Sequence, residues 1–167
     1  MREGITINLD FDGTCVKHAF PQIGEDIGAA PILKRLVAAG HKLILFTMRS
    51  NDTFETEDGI KTNTYLSDAI DWFKQNEIPL YGIQKNPTQH IWTSSPKSYA
   101  QMMIDDSALG CPLKYDYIEV PTISIIEKAM FGETKKIPDG RPYVDWVKVE
   151  YMLIERGLIV GEEQRGN

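Results

Sequence analysis

The sequence predicts an α/β fold with a mainly parallel sheet, and three observations carry that expectation. Short apolar runs alternate with amphipathic stretches of helical spacing. The runs at residues 5–9 and 42–46 are aliphatic with little alternation, as strands covered on both faces are. Three runs end in reactive side chains: Asp10 and Asp12 after the first, Thr47 after the second, Asp105 and Asp106 after a later one.

The opening run ends in Asp10-Phe11-Asp12-Gly13-Thr14. For both carboxylates to serve one site the chain is expected to turn after the strand, which Gly13 permits. Residues 15–24 carry Pro and Gly without a clear period and read as a loop, with His18 an exposed loop histidine before it is a ligand or base. Residues 25–39 read as a helix. Pro31 is tolerated in a first turn, Ala29, Ile32, Leu33, Leu36 and Val37 form one stripe, and Gly40 stands where a left-handed cap is expected. Strand, helix and strand within about forty residues form a βαβ unit, whose crossover is right-handed.

Residues 51–62 are polar and carry an Asp58-Gly59 hairpin signal, so a small β-excursion is expected beside the second strand end. Leu66, Ala69, Ile70 and Phe73 mark a helix capped by Thr62 or Asn63. A third strand is expected at 80–84, a long connection at 85–96, a fourth strand at 99–104 and a fifth at 115–120. Residues 121–131 read as helix and 132–142 as a polar connection with a Pro138-Asp139-Gly140 turn. Val144, Val147, Tyr151, Ile154 and Leu158 make a last amphipathic helix, with fraying expected from Gly161 onward.

The 167 residues, 42% hydrophobic and 25% charged, fit one domain, with a core at about 4–120 and C-terminal helices at about 121–160. No apolar run reaches the roughly 18–20 residues of a membrane span. The first residues lead straight into a strand, so no signal peptide is expected. Two cysteines are too few for a disulfide framework, and a cytoplasmic protein is the expectation. The formal charge of −6 argues against a nucleic-acid duplex as partner, because phosphate backbones reward a basic face.

In a parallel sheet the three reactive strand ends lie along one edge. Four carboxylates gathered there do not all stay ionised at neutral pH without a cation. An all-oxygen set without a thiolate or a histidine pair favours Mg²⁺ over Zn²⁺. Strand-end carboxylate, hydroxyl, lysine and Mg²⁺ together suit attack on a phosphoryl group. Cys15 has no base partner in the sequence pattern and reads as packing.

These motifs resemble the haloacid dehalogenase-like (HAD) hydrolases, over about residues 5–112. The matching positions are Asp10-Phe11-Asp12-Gly13-Thr14, Thr47 after an apolar strand, a lysine before the last strand, and Asp105-Asp106. Residues 20–24 and 40–49 are similar to a small capless bacterial branch. The resemblance implies a Rossmann-like three-layer α/β/α sandwich without a cap, since neither the first-to-second nor the second-to-third motif gap holds one. It also implies a Mg²⁺-dependent phosphatase. Asp10 would be the nucleophile, Asp12 the general acid and base, and Thr47 a donor to the transferring phosphoryl group. The metal would be held by Asp10, the Asp12 carbonyl, Asp105 and Asp106. Lys97 is the preferred third-motif lysine, with Lys85 the alternative. Substrate contacts would come from Thr47, Met48, Arg49 and Lys97, although Arg49 could instead brace a neighbouring acid. The expected partner is a small phosphorylated metabolite, with a nucleotide- or polynucleotide-specific phosphatase as the alternative; the open site suits either a large substrate or a homo-oligomer whose neighbouring subunit covers it. A signalling receiver domain shares phospho-Asp, Thr, Lys and Mg²⁺ but orders its acids differently. A non-catalytic scaffold is disfavoured by the intact motif set.

Overall fold

The computed structural model describes residues 4–161. Its frame is a four-stranded parallel sheet built from β1 (Thr6–Leu9), β2 (Lys42–Leu45), β5 (Gly82–Ile83) and β6 (Met102–Ile104), in the order β5-β2-β1-β6. Two antiparallel pairs stand apart from it: β3 (Thr53–Thr56) with β4 (Gly59–Thr62), and β7 (Leu113–Pro121) with β8 (Thr134–Val144).

Register decides which face is apolar. Ile7 pairs with Leu43 and Met102, and Leu9 with Leu45 and Ile104, so one face of three strands is aliphatic. That face packs on α1 (Ala29–Ala38), α2 (Tyr65–Gln75) and α4 (Trp146–Glu155), through Leu33, Leu36, Phe73, Trp146 and Leu153. The other face presents Asn8 to the backbone and hydroxyl of Ser98, in the connection between β5 and β6. Its cover is therefore a loop containing one 3-10 turn, Gln89–Ile91, rather than an α-helix. The third layer implied above is thinner than that of a full sandwich.

Several expectations hold with shorter elements. The helix placed at 25–39 starts at Ala29, behind Gly28 in a left-handed conformation, and keeps Pro31 in its first turn. The third strand shrinks to two residues and the fourth to three. The 51–62 excursion is a hairpin. The cap of α2 differs: Thr64 is the N-cap and makes no side-chain cap bond. Instead the Asn51 carboxamide accepts from the Leu66 and Ser67 N–H groups, satisfying two donors from outside the helix.

Two corrections concern the C-terminal third. The fifth strand does not join the parallel sheet, and residues 132–142 are not a plain connection. They form most of β8, which pairs with β7 along a two-stranded ribbon. α3 (Ile125–Phe131) sits at the ribbon's far end with a Ser124–Glu127 capping box. Residues 113–144, called the arm below, return to the body at Val144, whose N–H donates to the Gly13 carbonyl. The expected fraying of 161–167 falls almost wholly outside the described residues.

Candidate metal centre and active site

β1, β2 and β6 end level with one another. The pairing Leu9↔Leu45 and Leu9↔Ile104 continues as hydrogen bonds from Phe46 N–H to the Leu9 carbonyl and from Asp10 N–H to the Ile104 carbonyl. This sets Asp10 beside Asp105, and Thr47 one strand over in the other direction. The expected turn after β1 is present: Gly13, with φ 79°, donates to Val16 O, and Thr14, Cys15 and Val16 all donate to Phe11 O. Residues two apart on an extended chain already share a side. The turn therefore does less to bring Asp12 round than to wrap backbone beneath Asp10. Phe11 between them is fully buried, edge-on to Trp72.

One carboxylate oxygen each from Asp10, Asp105 and Asp106 lie within 4.8 Å of one another. Thr14 ties the group together: its hydroxyl donates to Asp10 Oδ2 and accepts from the Asp106 N–H, both at 3.0 Å. Asp105 Oδ1 accepts from the N–H and hydroxyl of Ser107. Burial raises the Asp10 carboxyl to about 7, and the charges of Asp105 and Asp106 push the same way against hydrogen bonds from Phe11 N–H and Thr14. A divalent cation relieves this crowding, and the three carboxylates suit a hard, oxygen-seeking ion. The residues present thus fit the metal that the motif pattern implies.

Asp12 has a different setting. Arg49 grips both of its oxygens, from Nε and Nη2 at 2.7 Å each. The other three guanidinium N–H groups go to the carbonyls of Pro21, Gln22 and Tyr65, and the guanidinium lies between the rings of Phe11 and Phe20. Arg49 is 2% exposed, and all five of its donors are engaged. Of the two roles open to it, the structure shows bracing of Asp12, with no donor left for a substrate.

Thr47 is buried at the end of β2, and its hydroxyl accepts from the Arg49 N–H. Met48 between them is 97% exposed. Gln84, just past β5 in a left-handed conformation, donates to the Thr47 carbonyl and accepts from the Thr47 N–H. It clamps this loop, and nothing in its sequence setting announced that.

His18 is not the exposed loop histidine expected. Its side chain is 16% exposed, with Nε2 3.0 Å from Asp106 Oδ2. It also explains Gly13: a Cβ there would lie 2.1 Å from His18 Nε2 and 2.8 Å from Asp106 Oδ2. Cys15 packs as expected, fully buried, with burial lifting its thiol well above the usual range. Neither candidate lysine pairs with the acids among the described residues. Lys85 is exposed beyond the edge strand β5. Lys97 is exposed beside Trp92 and Tyr99, on a segment anchored to the middle of β1 through Ser98. The arm's Arg141 is nearer, with Nη2 4.0 Å from Asp106 Oδ2.

No protein-family model matches the chain, and no curated protein matches it. Among solved structures, it is similar to a conserved protein coded by a locus from Bacteroides thetaiotaomicron. The two are 28% identical with a TM-score of 0.59, over 92% of this chain and 93% of that one.

Proposed function

We propose that the protein is a Mg²⁺-dependent phosphatase of the haloacid dehalogenase-like kind, without a cap domain, acting on a phosphomonoester. The observation that carries this reading is the meeting of Asp10, Asp105 and Asp106 at two adjoining strand ends, with Thr14 bridging two of them. Mg²⁺ held by Asp10, Asp105, Asp106 and the Asp12 carbonyl would neutralise the acids and draw charge from phosphate oxygens.

The chain's own residues then divide the work. Asp10 attacks phosphorus with one carboxylate oxygen; the bond from phosphorus to the leaving oxygen breaks, and Asp12 hands that oxygen a proton. A water then attacks the aspartyl-phosphate, Asp12 takes its proton, and phosphate leaves with Asp10 restored. The Arg49 fork keeps Asp12 turned to one position through both steps. Thr47 has its hydroxyl hydrogen free to donate to a phosphoryl oxygen, because the oxygen is used only as an acceptor from Arg49 N–H. Lys97 supplies a positive charge to the phosphoryl group by a side-chain movement, since its ammonium does not pair with the acids in this structure. A small phosphorylated metabolite is the substrate class.

Phosphate release from a panel of phosphomonoesters with Mg²⁺ tests the reading. Asp10→Asn is expected to abolish release, by at least about a thousandfold, on the scale of losing a nucleophile. Substantial turnover by that variant would rule out the aspartyl-phosphate route.

A further inference from the structure

The arm is built from side chains that favour burial, and it leaves them in water. Between Thr122 and Gly132, Ile123 and Ile125 are each 89% exposed, Ile126 72%, Met130 70% and Phe131 56%. α3 is well formed, with a full capping box, yet none of its residues is buried. A short helix in water draws little stability from propensity alone, and a two-stranded ribbon is itself marginal without a third strand or a packing face. Tyr117 and Ile118 extend the exposed apolar surface down β7.

We infer that the arm is a dimerisation element, pairing with the arm of a second copy of this chain about a twofold axis. Charge supports a second copy as the occupant. Five basic and five acidic residues cancel within 113–144, so the formal charge of −6 resides wholly on the rest of the chain. Two bodies repel one another, whereas two arms meet without net repulsion. Half of the arm's charges are also engaged in these pairs: Lys135 with Glu127, Lys128 with Glu133, and Asp116 with Lys17 of the body. Area points the same way. The five tip side chains expose on the order of 700 Å², against roughly 800 Å² per partner in a standard interface. A twofold contact uses the same patch twice, so one apolar tip is complementary to itself. The arm's root is fixed to the body by Val144 N–H on Gly13 O and Asp116 on Lys17, and the chain just beyond it by Trp146 Nε1 on Thr14 O. The dimer therefore joins two bodies through their arms and does not depend on the catalytic reading.

Sedimentation equilibrium of the full chain over roughly 1 to 100 µM decides it, the range in which a micromolar dimer dissociates. A concentration-dependent doubling of mass is expected. The double variant Ile126→Glu with Met130→Glu should remain monomeric throughout with an unchanged circular-dichroism spectrum, a weakening of at least tenfold. Ile125→Ser, a milder change, should weaken the dimer in the same direction, while the body variant Ile60→Glu leaves it intact. A wild-type chain that stays monomeric at the top concentration overturns the inference. So does a dimer indifferent to the tip variants. A monomer that floats with phosphatidylcholine–phosphatidylglycerol vesicles would assign the tip to a lipid surface instead.

Discussion

The strand-end site and the arm are unfavourable in opposite ways. In the body, Ile7, Ile32 and Ile104 are buried and the apolar side is satisfied, but three carboxylates share one corner, with His18 Nε2 against Asp106. In the arm the charges cancel and four of them pair with one another, while Ile123, Ile125 and Ile126 face solvent. The body holds an electrostatic cost within a complete core; the arm holds a hydrophobic cost within a balanced set of charges. Each imbalance indicates the chemistry of what relieves it, a small hard cation in one place and apolar protein surface in the other.

The comparison breaks most directly at the core. Phe73→Ala removes a fully packed ring from under β1 and should cost about 3–5 kcal/mol, whereas Ile126→Ala on α3 should change monomer stability by no more than about 0.5 kcal/mol. Urea unfolding of both variants, at concentrations below dimer formation, measures this. A large loss from Ile126→Ala would mean that the arm has a core of its own.

Arg49→Ala should come next, at about 3 kcal/mol, because it leaves Asp12 among buried partners without its counter-charge. Arg49→Lys should recover part of the stability but little activity, since an ammonium cannot grip both oxygens. Equal activity in Arg49→Lys and the parent would show that bracing of Asp12 is not needed.

A pH series sharpens the electrostatic half. The Asp10 carboxyl is raised from 3.8 to about 7 in the folded chain, so the fold retains a proton that the unfolded chain releases. Metal-free stability attributable to Asp10 is therefore fully present below pH 4 and declines as pH rises to 7, by at most about 4 kcal/mol. Mg²⁺ binds the ionised form, so the rise in melting temperature on adding Mg²⁺ should grow over that interval. Asp105→Asn should shrink the Mg²⁺ shift while leaving most of the metal-free trend, because burial and not the Asp105 charge is the main cause of the raised Asp10 carboxyl. A Mg²⁺ shift independent of pH would separate the ion from Asp10.

Much of the body was legible because burial writes itself into periodicity. The run before Asp10, the stripe of α1 and the hairpin signal at Asp58-Gly59 were each read from neighbours in sequence. β8 was not, since a ribbon exposed on both sides has no apolar face to repeat, and Lys135-Lys136 with Pro138 reads as a connection. The acids at the strand ends were visible through their motif order. The bracing role of Arg49 was not, because its carboxylate partner lies 37 positions away. His18 was hidden for the same reason: its meaning comes from Asp106, in the turn after a strand that only the folded sheet brings near. Asn51 as an external cap, and Gln84 as a loop clamp, likewise depend on turns that no local pattern specifies.

Trp146 Nε1 donates to the carbonyl of Thr14, across 132 positions of sequence. β1 also waits for β6, more than ninety residues on, to form its second ladder. Contacts of such span are slow to close, because loop entropy is lost before any bond repays it. The acidic corner is thus assembled late. A chain emerging from the ribosome has its first motif long before it has the tryptophan that pins that motif in shape, so truncations ending at residue 112 should yield collapsed protein without a defined metal site, however complete their motifs look on paper.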